Sequence, residues 1–179
     1  MPYYRIGLFR NANLRGRLFI TVFVFWAALC LIAPVSGRAE AWSGEVVQVT
    51  DGDSLIVMRG REKVKIRLSG IDAPEHGQPF AEEAKRFLKE RVRGKAVQVE
   101  EKERDRYGRL VARVRRPGDD EDLSHALVRA GLAWQHKYFS RDAGLKALER
   151  AAREQRVGLW SQPDPTPPWV WKHRGERGR

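Results

Sequence analysis

Three short runs of alternating apolar and polar residues, within residues 45–68, are the strongest constraint on how this chain folds. The runs cover residues 45–49, 54–58 and 63–68, and each contains β-branched side chains typical of strands. Glycine-containing turns separate them, which predicts two successive hairpins. Successive side chains of a strand point to opposite faces. In the third run this period places Arg67 on the face away from the core.

The remaining pattern predicts a helix, two more strands and two further helices. The helix covers residues 80–92, the strands residues 96–100 and 109–114, and the last helices residues 123–130 and 142–152. This order fits an α+β protein, mainly β, built on a five-stranded Greek-key barrel of the OB type with three helices. The same elements also fit an α+β sandwich, and the pattern alone does not separate the two.

Residues 1–41 have the features of an export signal. Arginines precede an apolar run from Leu18 to Ala33, and an A-x-A cleavage site ends at Ala41. The run is shorter than the roughly 20 residues of a spanning helix, so we expect cleavage and a secreted or periplasmic protein. An uncleaved membrane anchor is the alternative. Cys30 is the only cysteine, so a cleaved chain has neither disulfide nor thiol chemistry.

The basic character of the chain belongs to the expected domain, residues 42–161, and to the tail, residues 162–179, as well as to the signal. The formal net charge is +11, and removing residues 1–41 takes away five arginines and one glutamate to leave +7. A basic balance favours nucleic acid as a partner. The tail is rich in proline and tryptophan, shows no period, and is expected to lie along the surface.

Five charged residues at strand ends and turns have the chemistry to bind a cation and a phosphate. They are Asp53, Asp72, Glu75, Arg67 and Arg109. Carboxylates bind hard divalent cations, and arginine forks match phosphate oxygens. Each residue alone has a plainer explanation as part of a hairpin turn, a helix start or a surface ion pair. The four histidines match no zinc spacing.

Taken in order, the motifs around these residues resemble those of the staphylococcal nuclease (thermonuclease) family. The resemblance runs from about Gly44 to Ser161, and several ordered motifs are more specific than any one of them. The matching motifs are Val49–Ser54, Ile66–Leu68, Ile71–Glu75, Asp105–Leu110, Ala126–Ala133 and Gly158–Trp160.

The resemblance implies a five-stranded OB barrel with three helices and calcium-dependent hydrolysis of DNA and RNA. It implies cleavage that leaves 3′-phosphate ends. We expect endonucleolytic cleavage by a monomer, although the residues themselves do not distinguish endonucleolytic from exonucleolytic action. The resemblance also implies that Asp53 and Asp72 bind calcium through their side chains and Ala73 through its backbone carbonyl. Many family members have threonine in place of Ala73, and alanine keeps the carbonyl.

The same resemblance assigns the catalytic and substrate-binding residues. Glu75 falls where the family has the glutamate that activates water. Arg67 and Arg109 fall on the two phosphate-binding arginines. Arg106 and Tyr107 match substrate-contacting positions.

Two other functions remain open at this point. OB barrels also bind nucleic acid without cleaving it, so a non-catalytic binding protein of the cell envelope is one alternative. An anchored envelope protein that uses Trp169 and Trp171 for interactions is the other. The presence of all three acids and both arginines favours the enzyme. Residues 134–139 depart from the family pattern, so no nucleotide-stacking role is assigned to Tyr138.

Overall fold

The structure is a computed structural model that describes residues 41–119, 121–136 and 140–177, with side chains as far as Lys172. Residues 1–40 of the predicted export signal lie outside the described residues, and so does Tyr138. No helix in the described ranges is both long and apolar enough to cross a lipid bilayer.

Five strands close into a barrel, and two short strands form a separate pair. The barrel order is β1-β2-β3-β6-β5, with β1 paired to β5. The contact between β3 and β6 is parallel, whereas the other barrel contacts are antiparallel. The closed barrel confirms the predicted fold and excludes the sandwich. The strands are β1 Ala41–Asp51, β2 Ser54–Arg59, β3 Glu62–Leu68, β4 Ile71–Asp72, β5 Ala96–Arg104, β6 Leu110–Arg115 and β7 Trp134–Gln135.

Three of the helices correspond to predicted ones, and the fourth corrects the expectation of an aperiodic tail. The fourth helix begins at Pro168, where a missing N–H costs nothing because the first N–H groups of a helix have no intrahelical partner. Proline therefore begins this helix instead of preventing it. The helices are α1 Ala81–Val92, α2 Leu123–Arg129, α3 Ala143–Glu154 and α4 Pro168–Arg177, with a 3₁₀ turn at Gly158–Ser161.

The strand period places the barrel core as predicted. In β3, Val64, Ile66 and Leu68 are buried, whereas the Arg67 side chain remains 18% exposed on the other face. Barrel residues and one face each of α1 and α2 form the main core. Burial of such apolar surface is the main source of stability.

A second, smaller core lies outside the barrel and includes part of the tail. Trp134 and Trp160 meet edge to face, with ring centroids 5.5 Å apart and planes at 71°. Ala152 and Leu159 complete the buried cluster, and Trp169 packs against it. Because Trp134 lies on β7, which pairs with Asp72 on β4, this second core supports the end of β4.

Candidate active site

The hairpin turn between β1 and β2 directs Asp53 into the protein. The backbone N–H of Asp53 donates to Asp51 Oδ1 at 3.1 Å, so Asp51 shapes the turn. Asp53 is only 5% exposed. Ser54 Oγ donates to Asp53 Oδ1 at 2.9 Å, and the N–H of Ala73 donates to Asp53 Oδ2 at 3.0 Å. The second bond joins the hairpin directly to the turn after β4.

Arg67 joins the two buried aspartates. Its Nη1 donates to Asp53 Oδ1 at 3.1 Å, and its Nη2 contacts Asp72 Oδ1 directly. Asp72 is 7% exposed. The structure therefore brings Asp53, Arg67, Asp72 and Ala73 into direct contact, although they come from three separate segments.

Burial and mutual repulsion both act on the carboxylates of this cluster. Burial raises the pKa of Asp72, and the neighbouring Asp53 adds to the rise against the opposing effect of Arg67. Asp51 taken as a whole is exposed, but its carboxyl group is turned towards the cluster and partly desolvated. This desolvation and the repulsion from Asp53 raise the pKa of Asp51 to about 6. Burial lowers the pKa of Arg67, but the surrounding carboxylates outweigh that effect and hold it above the ordinary value.

This donor set fits a hard divalent cation. Asp53 and Asp72 present carboxylate oxygens in a buried place where one guanidinium leaves negative charge uncompensated. In the described ranges no three His, Cys, Asp or Glu side chains are grouped to hold a metal. A cation here therefore needs backbone carbonyl or water oxygens as well, which calcium and magnesium accept readily.

Glu75 lies at the edge of the cluster. Its side chain is 32% exposed, and its Oε1 lies 2.7 Å from Nζ of Lys172. Its charge contributes to the raised pKa of Arg67, so the two side chains are electrostatically coupled. The backbone N–H of Glu75 donates to Gln78 Oε1 at 2.9 Å, which fixes the turn that carries it.

Arg109 is near this region but not in the acid cluster. It immediately precedes β6, whose first residue Leu110 pairs with Ile66 beside Arg67. Its Nε donates to Asp105 Oδ2 at 2.7 Å. In the described part of the chain its guanidinium makes no ion pair with the cluster acids. The two predicted phosphate-binding arginines are therefore held by different partners.

Arg106 and Tyr107 form an exposed basic and aromatic surface with Arg109. Tyr107 is 68% exposed. The guanidinium carbons of Arg106 and Arg109 lie 4.8 Å and 5.6 Å from its ring centroid. Asp105 Oδ1 accepts from the N–H groups of Tyr107 and Arg109, both at 2.9 Å, and so shapes the loop. The arrangement suits stacking on a nucleobase next to its phosphate.

Four residues near the site were not assigned from the sequence. His136 Nε2 lies 3.4 Å from Asp72 Oδ2, and Trp169 packs near the His136 ring. Gln78 accepts a hydrogen bond from the backbone N–H of Glu75. Lys172 forms an ion pair with the Glu75 carboxylate. No local spacing links these residues to the acids. The only feature of the sequence that pointed towards any of these four residues was the tail with its two tryptophans, Trp169 and Trp171.

Comparison with known proteins finds one family model and several relatives whose names all refer to nucleases. The model of a family described as "Staphylococcal nuclease homologue" matches residues 65–162. An uncharacterized endonuclease of Escherichia coli O157:H7 is 42% identical over 156 residues, covering 87% of this chain and 95% of that protein. A micrococcal nuclease of Shigella flexneri is 40% identical over 155 residues, covering 82% and 88%. A staphylococcal-like nuclease of Arabidopsis thaliana is 38% identical over 117 residues, covering 65% and 34%.

Proposed function

This chain belongs to the staphylococcal nuclease family and is a phosphodiester-hydrolysing nuclease, and we propose that it is an exported, calcium-dependent endonuclease. We propose further that it cleaves both DNA and RNA and leaves 3′-phosphate ends. The observation that carries the proposal is the convergence of buried Asp53 and Asp72 on Arg67, with Glu75 on the adjoining turn.

The proposed roles follow from the chemistry of each side chain. Asp53 and Asp72 hold the cation through carboxylate oxygens, and Ala73 through its carbonyl. When bound, calcium supplies positive charge that offsets the charge of the scissile phosphate. Glu75 orients a water molecule and accepts its proton. A carboxylate is a weak base, so its contribution depends on how well it is oriented.

Two arginines stabilise the charge that develops on the phosphate. Arg67 is held rigidly by the two aspartates, so its guanidinium is already oriented when substrate arrives. Arg109 approaches from the start of β6, where Asp105 orients it. Preoriented donors of this kind stabilise a transition state without reorganising during the reaction.

The substrate class rests on charge and on the exposed aromatic surface. Net positive charge concentrates polyanions at the surface. Stacking of a base on Tyr107 is tolerant of sequence and of sugar type, since every base has a π-face. This supports action on both DNA and RNA.

Export is proposed from residues 1–41, with cleavage after Ala41. Ala41 is the first residue of β1, so cleavage there shortens the strand by one residue and leaves Trp42 paired with Val99. Intact mass of the protein recovered from the medium or periplasm tests this point. A mass that retains residues 1–41 contradicts it.

The activity is tested by incubating the purified protein with DNA and with RNA, in calcium and in a calcium chelator. We expect cleavage of both polymers in calcium, loss of cleavage in chelator, and 3′-phosphate termini on the products. Glu75→Gln keeps the size of the side chain and should lower kcat by on the order of 10²-fold. Cleavage that persists in chelator refutes the proposed metal dependence. Full turnover in Glu75→Gln refutes the role of Glu75.

A further inference from the structure

The C-terminal tail contacts the active site at three points. These are Thr166, Trp169 and Lys172, spaced three residues apart. Trp169 and Lys172 lie on α4, where residues three apart share a face. One face of the tail is therefore directed at the region around Glu75 and Asp72.

Gln78 connects the tail to the turn that carries Glu75. Gln78 is 6% exposed, and both ends of its amide are used. Its Oε1 accepts from the Glu75 N–H at 2.9 Å, and its Nε2 donates to the Thr166 carbonyl at 2.5 Å. A second backbone bond closes the turn, from the Gln78 N–H to the Glu75 carbonyl at 2.9 Å. A buried amide satisfied on both sides holds its neighbours in fixed relation.

Trp169 anchors the start of α4. It packs against the second core, which contains Trp134 and Trp160. Its ring centroid lies 6.3 Å from that of His136, whose Nε2 is 3.4 Å from Asp72 Oδ2. Apolar packing therefore determines where the next turn of α4 lies, and with it Lys172.

Lys172 holds one oxygen of the Glu75 carboxylate and leaves the other available. Its Nζ lies 2.7 Å from Oε1. Among the residues that the structure describes, no hydrogen-bond donor contacts Oε2 of Glu75. The ion pair therefore restricts rotation of the carboxylate, while Oε2 remains able to bond a water molecule.

Resting on the proposed nuclease function, we propose that Lys172 is a positioning residue that orients the Glu75 carboxylate for its attacking water. The tail is then part of the active site and not only a surface extension. Lys172 is 54% exposed, so its ion pair contributes little to stability. Lys172 acts instead by orienting the Glu75 carboxylate. Because this carboxylate is a weak base, even a small displacement from its proper orientation slows the reaction strongly.

The test compares three variants of the purified protein in calcium. Lys172→Met keeps the length of the side chain and removes its charge, whereas Lys172→Arg keeps a cation within reach of Oε1. Lys89→Met removes the same charge from an exposed position in the last turn of α1. We expect Lys172→Met to lower kcat on the order of 10-fold with KM changed less than about twofold. Lys172→Arg should recover most of kcat, and Lys89→Met should match the unaltered protein.

Amide hydrogen exchange of Val170 and Trp171 separates positioning from tail release. Both N–H groups donate to the Pro167 carbonyl at 3.0 Å, so their protection reports the start of α4. We expect Lys172→Met to leave this protection unchanged, because Trp169 and Gln78 still hold the tail. Faster exchange in Lys172→Met would make its effect structural and overturn the proposal.

Other results distinguish the proposal from the function on which it rests. Unchanged kcat in Lys172→Met, or a rise in KM alone, overturns the positioning role and leaves the nuclease function intact. An increase in kcat also overturns it, since the contact would then be inhibitory. If the unaltered protein cleaves neither polymer in calcium, the proposed function fails and the role of Lys172 fails with it.

Discussion

A Cβ atom on Gly52 would lie 2.7 Å from the Cβ of Ala73, closer than two such atoms approach in folded proteins. It would also lie 2.8 Å from the Cβ of Ala84 on α1. Glycine therefore lets the β1–β2 turn lie directly on the turn after β4. The same approach brings Asp53 Oδ2 within 3.0 Å of the Ala73 N–H.

Gly52→Ala should therefore disrupt both stability and activity. The added methyl must displace Ala73 or α1, and overpacking of this kind costs about 1–3 kcal/mol of unfolding free energy. Displacement of Ala73 separates Asp53 from Asp72, so cleavage should fall on the order of 10²-fold. Urea unfolding and initial rates in saturating calcium measure the two effects.

Gly60→Ala is the matched control for the Gly52 prediction. Gly60 has a φ of +62° in the β2–β3 hairpin, and nothing lies within 4 Å of an added Cβ. Backbone strain should lower the free energy of unfolding of the Gly60→Ala protein by about 1–2 kcal/mol. Its catalytic rate should remain that of the unaltered protein. A Gly52→Ala protein as active as the Gly60→Ala protein would contradict the argument from close approach.

Substitution of Arg67 should lower the free energy of unfolding more than substitution of Arg109, whereas the two substitutions should lower the catalytic rate by similar factors. Arg67→Met leaves the buried Asp53 and Asp72 without their cation, so unfolding free energy should fall by about 3 kcal/mol. Arg109→Met breaks a partly exposed pair with Asp105, worth at most about 1 kcal/mol. Each should lower kcat on the order of 10²-fold, because each stabilises developing phosphate charge.

Urea unfolding and steady-state kinetics on the same protein preparations test this difference. Equal loss of stability in the two variants would mean that Arg67 is not the main compensation for the buried aspartates. Normal turnover in Arg109→Met would exclude its proposed action on the phosphate.

Local patterns predicted most of the strands and helices, because those signals are carried by residues close together in the chain, but only the family resemblance favoured the barrel over the sandwich. The two-residue period of β3 placed Arg67 opposite Val64 and Ile66, as observed. The family resemblance assigned Asp53, Asp72 and Arg67 to one site, and in the structure the two carboxylates both contact the Arg67 guanidinium. The exact role of each residue in catalysis stays a prediction.

The tail could not be predicted in the same way. Lys172 and Glu75 are far apart in the chain, and neither position shows a pattern that refers to the other. Prolines before Trp169 suggested irregular structure, yet α4 forms where the tail meets the second core. Helices are stabilised mainly by tertiary packing, which a single sequence does not display.

Tyr107 should contribute to substrate affinity without affecting the fold. Its ring is largely exposed and flanked by Arg106 and Arg109, so it can stack on a base with little reorganisation. Tyr107→Ala should raise KM about 10-fold, since base stacking is worth about 1–3 kcal/mol. The melting temperature should not change. Tyr107→Phe keeps the ring and should retain KM, and a large rise in its KM would instead implicate the hydroxyl group.

Asp142 connects α3 to the barrel through both carboxylate oxygens. Oδ1 caps the helix, accepting from the N–H groups of Gly144 at 2.8 Å and Leu145 at 3.2 Å. Oδ2 accepts from Arg113 at 3.0 Å and lies 3.2 Å from His125 Nε2. Partial burial acts to raise the pKa of Asp142, but the hydrogen bonds from His125, Leu145 and Gly144 outweigh it and hold the pKa below its ordinary value.

Asp142 should therefore make stability depend on pH in the acidic range. Since its pKa is lower in the folded than in the unfolded chain, its contribution is complete above the ordinary carboxyl pKa and is lost as pH falls through the folded value. Asp142→Asn keeps an oxygen for the helix cap but loses the charge that faces Arg113. It should be about 1 kcal/mol less stable at pH 7, and this difference should shrink as pH falls from about 5 towards 2. Urea unfolding across this range measures the difference, with Asp164→Asn at an exposed tail position as control. A difference that stays constant with pH would show that the charge of Asp142 does not stabilise the fold.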